Sequence, residues 1–142
     1  MNISARNVFK GTISALTNGA VNAEVELTLP GGDKIVAIVT EGSVKSLGLA
    51  VGKEAVAYVK APWVILLAGP ANVKFSARNQ LAGTVSKVQK GAVNSEVSIA
   101  LPGGTMVFAV VTNEAVMEMG LKEGSAASAL IKASHVVLGV PA

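Results

Sequence analysis

At 142 residues the chain has room for one ordinary domain or two small ones, yet 51% of its residues are hydrophobic and only 15% charged, against a usual ~25% charged, so apolar surface has to be hidden in an interface. The absence of cysteine excludes a disulfide framework and a thiolate metal site. The apolar runs fall short of the ~18 residues of a membrane span, no signal-peptide pattern opens the chain, and the net charge of +3 mildly favours anionic partners; a soluble, cytoplasmic protein is expected, with no membrane partner.

In chain order, Ser4-Ala5-Arg6-Asn7 precedes a β-rich stretch from Val8 to Thr17, which Asn18-Gly19 closes as a turn. Residues 21 to 29 then alternate strictly, with Val21, Ala23, Val25, Leu27 and Leu29 on one face and Asn22, Glu24, Glu26 and Thr28 on the other, the mark of a half-buried strand. Pro30-Gly31-Gly32 supplies turn chemistry and Ile35 to Val39 follows as a strand buried on both faces or nearly so, completing a hairpin. Thr40-Glu41-Gly42-Ser43, with Val44 and Leu47 at helical spacing and Gly48 behind, predicts one short helix with a hydroxyl N-cap and a glycine stop. Glu54 to Lys60 and Trp63 to Ala68 predict two more strands, and Gly69-Pro70-Ala71-Asn72 a short linker.

The series then repeats. Sliding residues 3 to 68 onto 75 to 140 needs no gap, and about 30 of the 66 pairs are identical, which identifies an internal duplication. Ser-Ala-Arg-Asn returns as Ser76-Ala77-Arg78-Asn79, Gly19-Ala20-Val21-Asn22 as Gly91-Ala92-Val93-Asn94, Leu-Pro-Gly-Gly at 29 to 32 as 101 to 104, and Lys60-Ala61 as Lys132-Ala133. Each copy holds about five strands with one helix between the third and fourth, an order that suits a small OB-type barrel. The expected fold is therefore all-β with short helices, as two tandem OB-like five-stranded barrels divided at 1–69 and 70–142.

Catalytic constellations are missing. His135, the sole histidine, aligns with Trp63, which favours a packing or surface role, and no metal-spaced set, nucleophile elbow or phosphate loop occurs; the protein is expected not to be an enzyme. Nucleic-acid binding on an OB-like barrel needs stacking aromatics in a basic groove, but Phe9 aligns with Leu81, Phe75 with Ile3, Tyr58 with Leu130 and Trp63 with His135, so the copies share no such platform. Glu24 and Glu96 are read as solvated or cross-strand charges. Both copies keep donors without acceptors: the serine and arginine of Ser-Ala-Arg-Asn, the lysine of Lys-Ala, the threonine at the helix start, and turn glycines that expose N–H groups. Such a set suits a desolvated tetrahedral oxyanion. The competing reading has Arg6 and Lys60 snorkelling and the serine capping a turn.

These same motifs resemble the molbindin, or Mop, family, over the whole chain and in a two-repeat form. The resemblance implies Mop/TOBE-like domains that bind molybdate, or tungstate, without catalysis, for intracellular molybdenum storage and homeostasis, with molybdenum held as the oxyanion and not as a bare cation. It implies a homotrimer with anions at interfaces between subunits. Carried over by position, one class of site uses Ser4, Ala5, Arg6, Lys60 and Ala61, or Ser76, Ala77, Arg78, Lys132, Ala133 and Ser134, joined by Thr40 and Ser43, or Thr112, from a neighbouring unit. A second class uses the turns at Ala20, Val21 and Asn22 and at Ala92, Val93 and Asn94. Two departures, Pro62 opposite Ser134 and Ala115 opposite Ser43, imply inequivalent sites. An effector-sensing or partner-binding module is the alternative, followed by a single-stranded nucleic-acid-binding OB protein.

Overall fold

A computed structural model describes residues 1–142. The first repeat forms β1 (Asn7–Asn18), β2 (Asn22–Thr28), β3 (Lys34–Thr40), helix α1 (Glu41–Leu47), β4 (Glu54–Val59) and β5 (Ile65–Ala68). The second follows the same order with β6 (Asn79–Lys90), β7 (Asn94–Ala100), β8 (Met106–Thr112), helix α2 (Asn113–Met119), β9 (Ala126–Ile131) and β10 (Val137–Gly139). The expected all-β, OB-like architecture in two five-stranded units is present. No helix is long and apolar enough to cross a membrane.

Local chemistry sets the elements. In β2, Ala23, Val25 and Leu27 are buried while the residues between them are half-buried, as alternation dictates. Val21 and Val93 depart from the pattern at 72% and 71% exposed, because both precede the strands and sit in the turns. Each helix is opened by a threonine whose hydroxyl accepts from the backbone N–H of the third helical residue, Thr40 from Ser43 N and Thr112 from Ala115 N, both at 3.0 Å. Gly48 and Gly120 end the helices at φ 64° and 63°, the left-handed stop that glycine adopts without strain. Residues 61–63 form a short 3-10 turn with Pro62 near its start, so β5 begins at Ile65 and not at Trp63. A register shift between Ile13 and Ala15, repeated between Val85 and Lys87, marks a bulge at Ser14 and Ser86, where the long first strand of each unit twists more strongly.

The sheets do not follow the sequence repeats. One runs β10-β4-β1-β2-β3 and the other β5-β9-β6-β7-β8. The last strand of each copy has crossed to the other copy: Ile65 pairs with Leu130, and Val137 with Tyr58. Division at 69/70 thus separates the sequence copies, whereas each sheet takes four strands from one copy and one from the other. A cluster of 26 buried residues, including Phe9, Val25, Ile35, Val97, Ile99 and Val107, runs through both sheets as one core. β10 also lies beside β3, closing the first sheet toward a barrel. Where the two Leu-Pro-Gly-Gly turns meet, Gly31 sits at φ 91°, and a Cβ there would collide with the carbonyl of Gly103; Asp33 fastens the contact by accepting from Gly103 N at 3.0 Å and Thr105 N at 3.3 Å.

Candidate functional site

The Ser-Ala-Arg-Asn tetrapeptides run into the first strand of each copy, and their last residue explains part of their retention. Asn7 and Asn79 are 1% and 2% exposed. Asn7 Nδ2 donates to Phe108 O at 2.8 Å while its Oδ1 accepts from Phe108 N at 2.7 Å; Asn79 does the same with Val36, at 2.8 and 2.7 Å, and also donates to Ile131 O at 3.2 Å. Each side-chain amide therefore acts as one extra rung on the opposite copy's hairpin, satisfying groups whose burial would otherwise be costly. Neither asparagine was among the expected site residues; an amide kept at the same point of both copies was the available signal.

These amide rungs fix where the preceding arginines go. Arg6 reaches Glu96 with two prongs, Nη2 to Oε1 at 3.2 Å and Nε to Oε2 at 3.3 Å, and its guanidinium lies over the Phe108 ring, 3.5 Å from the centroid. Arg78 Nη2 bonds Glu24 with no ring beneath it, since Val36 stands where Phe108 stands for Arg6. The hydrogen bond to Glu24 and then its charge raise the Arg78 pKa. So the arginines are not donors without acceptors, and Glu24 and Glu96 are not merely solvated or cross-strand charges. Each carboxylate faces an arginine of the other copy, a partner that sequence proximity hides. All four side chains are roughly a third to a half exposed, and pairs of that kind add little to stability.

Five of the other expected donors are free within the chain. Ser4, Ser76 and Ser134 make no side-chain hydrogen bond, and Lys60 and Lys132 have no ion pair; all five residues are exposed. Asn7 pairs with Val59 and Asn79 with Ile131, so Arg6 and Lys60, like Arg78 and Lys132, are one step beyond the last paired residues of neighbouring strands. The buried Ala61 and Ala133 anchor the 3-10 turns that follow the lysines. Residues 61–63 pack on β8, which leads into Thr112, and residues 133–135 on β3, which leads into Thr40. Each arginine–lysine end is thus set against the opposite copy of the same chain. Thr40 Oγ1 and Ser43 Oγ share a hydrogen bond of 2.9 Å, which Ala115 cannot reproduce beside Thr112. In a seven-residue helix these hydroxyls matter more than any axial dipole.

The two Gly-Ala-Val-Asn turns hold to their own helices. Glu41 N donates to Val21 O and Asn113 N to Val93 O, each at 2.9 Å. The N–H groups of Ala20 and Val21, and of Ala92 and Val93, donate to nothing within the chain. Repeat one places a carboxylate beside this turn, with Glu41 accepting from Gly19 N at 3.0 Å, whereas repeat two places the neutral Asn113, which donates to Gly91 O at 3.0 Å. Asn22 and Asn94 open β2 and β7 and pair with Thr40 and Thr112. Trp63 and His135 meet with ring centroids 5.1 Å apart and planes inclined at 40°, which gives His135 the packing role expected of it.

Comparison with known proteins places the fold in a family. The model of the TOBE domain matches residues 3–66 and again 76–138. The crystal structure of the cytoplasmic molybdate-binding protein ModG, with molybdate bound, is similar with a TM-score of 0.93 and 62% identity, covering 99% of this chain and 100% of that one. The molybdenum transport protein ModE of Azotobacter vinelandii is 44% identical over 140 residues, 99% of this chain and 52% of that protein; the molybdenum-pterin-binding protein MopA of Rhodobacter capsulatus is 43% identical over 141 residues, 99% of this chain and 53% of that protein. This chain spans about half the length of these curated relatives. With both repeats matched, the chain belongs to the TOBE domain family, in its two-repeat, molbindin-like form.

Proposed function

We propose that this chain binds molybdate, or tungstate, as an intact tetrahedral oxyanion, without catalysis, and serves as a cytoplasmic store of molybdenum. The observation that carries the proposal is the duplicated donor set: an arginine, a lysine and a serine at the end of each unit, set by an asparagine rung against the other copy. A tetrahedral dianion takes hydrogen bonds on every oxygen, and charge-assisted donors are the strong ones. The 62% identity to ModG supports the choice of anion. On this reading Ser4, Ala5, Arg6, Lys60 and Ala61, with Thr112, serve one class of site, and Ser76, Ala77, Arg78, Lys132, Ala133 and Ser134, with Thr40 and Ser43, its counterpart. The turn N–H groups of Ala20, Val21, Ala92 and Val93, with Asn22 and Asn94, serve a second class. The two sequence modules are 1–69 and 70–142.

The chains assemble as a homotrimer, whose interfaces cover apolar residues such as Val21, Val93, Ile65 and Val137, all more than half exposed in the single chain. Further anion contacts lie between subunits. Calorimetric titration with molybdate, tungstate, sulfate and phosphate in one buffer tests the function: saturable heat with the first two and much weaker heat with the others is expected, and no heat with molybdate would refute it. Sedimentation equilibrium tests the assembly, which a stable monomer at micromolar concentration would exclude. A second reading, an effector module that reports the anion to another protein, is favoured by the match to half of ModE. A molybdate-dependent partner captured by the purified chain would support that reading.

A further inference from the structure

The arginine–glutamate pairs raise a question that the donor inventory does not answer. Stability does not account for them, since pairs this exposed contribute little. Yet both copies keep both partners, Arg6 with Glu96 and Arg78 with Glu24, and each pair crosses from one copy to the other. The carboxylates stand at the guanidinium groups that the proposed anion site would use.

Resting on the oxyanion-binding reading, we propose that Glu24 and Glu96 are built-in counter-ions that hold the guanidinium groups while no ligand is bound and compete with an incoming anion for them, so that they set the affinity of the site. A guanidinium has five N–H donors. Glu96 engages Nε and Nη2 of Arg6, leaving Nη1 and the second hydrogen of Nη2 for a ligand. An anion placed there feels the attraction of Arg6 and the nearby Lys60, but also the repulsion of Glu96 a few ångströms away. A monovalent anion with one contact gains little from this near-neutral pair. A dianion with four acceptor oxygens spans the remaining guanidinium donors, the lysine and the serine together, and retains a net gain. Glu24 plays the same part for Arg78, where the single prong leaves Nε and Nη1 free. The carboxylates therefore weaken binding of every anion, a dianion more than a monoanion because the repulsion scales with the ligand's charge, and the dianion's net gain comes from the lysine and the serine.

The test titrates wild-type protein, E24Q, E96Q and the charge-retaining E24D and E96D with molybdate, each at low and at raised chloride, alongside thermal melts. Each glutamine variant should bind molybdate roughly ten-fold more tightly at low chloride, a factor that corresponds to about 1.4 kcal/mol, and should lose much of that gain as chloride competes for the freed arginine. The aspartate variants should stay nearer to wild type in both respects. Unchanged or weaker molybdate binding in E24Q and E96Q would overturn the proposal. So would a collapse of their melting temperatures that E24D and E96D restore, since the pairs would then be structural. Failure of wild-type protein to bind molybdate would instead refute the functional reading, and that arm is read independently.

Discussion

The two repeats share a frame and differ in many of the side chains mounted on it. Asparagine rungs, threonine caps, glycine stops, bulges and arginine–glutamate pairs recur at a spacing of 72 residues, and all of them shape the elements or the contact between copies. Several of the differences lie at or beside the proposed anion-binding residues. Pro62 aligns with Ser134, Trp63 with His135, Val36 with Phe108, Ser43 with Ala115 and Glu41 with Asn113. Duplication supplied two equivalent frames, and side chains beside the proposed anion-binding residues have since diverged, so on that reading the two ends of one chain should not bind alike.

The largest effect expected from breaking the comparison is on stability, at the rungs. Asn79→Ala strips partners from the Val36 N–H and C=O and from Ile131 O, whereas Asn7→Ala strips them from Phe108 alone. At ~1 to 3 kcal/mol for each buried group left unsatisfied, with partial relaxation, the losses should be about 3 to 5 kcal/mol for Asn79→Ala and about 2 to 4 for Asn7→Ala. Denaturant unfolding of the two variants measures both. Equal or negligible losses would show that water replaces the amides and that the rungs do not hold the copies together.

The elements were legible in the sequence because each has a local cause. The alternation from Ala23 to Leu29, Thr40 and Thr112 as caps, and Gly48 and Gly120 as stops all act within a few residues. The exchange of β5 and β10 was not legible, for an energetic reason. After a duplication, β5 finds nearly the same ladder on β4 as on β9, so pattern and propensity cannot tell the two pairings apart; the choice falls to the linker and to the packing of both copies in one core. The same gap hid the glutamates. Glu96 and Glu24 stand 90 and 54 residues from their arginines, so alternation could show only that they face outward. The candidate donors were legible through their repetition, but the copy that each would face was not.

Next in size is anion affinity at the arginines. Arg78→Ala and Arg6→Ala should each weaken molybdate binding by roughly ten- to a hundred-fold, below the ~2 to 5 kcal/mol of fully buried charge pairs because both side chains are half exposed. The comparison sharpens in the melts: Arg6→Ala also removes the stack on Phe108 and should lower the melting temperature more than Arg78→Ala does. Truncation is not expected to stabilise either end, since a carboxylate and not another cation lies beside each guanidinium. Unaltered affinity with a lowered melting temperature in both variants would remove the arginines from the site.

Smaller still is the difference made by one hydroxyl. Ser134→Ala should weaken only the sites that use the second repeat's lysine end, by roughly ten-fold, near the lower bound for a hydrogen bond to a charged group. The converse, Pro62→Ser, gives the first repeat both a hydroxyl and an N–H. Titration isotherms that resolve two affinity classes in wild type should move together in both variants, by loss from the tighter class in Ser134→Ala and by gain in the weaker class in Pro62→Ser. A uniform shift of every site would contradict inequivalence.

The smallest effect is at the turns, and it separates charge from geometry. Glu41 accepts from Gly19 N and keeps a negative charge beside the free N–H groups of Ala20 and Val21, while Asn113 keeps none beside Ala92 and Val93. Glu41→Asn converts the first turn to the chemistry of the second. Its cost in stability should be less than about 1 kcal/mol, since the lost interaction is an exposed hydrogen bond that asparagine partly replaces. If these turns take an anion, removing the carboxylate strengthens the hold of Ala20 and Val21 toward that of Ala92 and Val93, because like charges at short range oppose binding even where solvent screens them. Molybdate titration should then show added weak binding in Glu41→Asn, and Asn113→Glu should remove a weak class from the second repeat. If neither variant changes the isotherm, the turns are structural and anion binding is confined to the arginine–lysine ends.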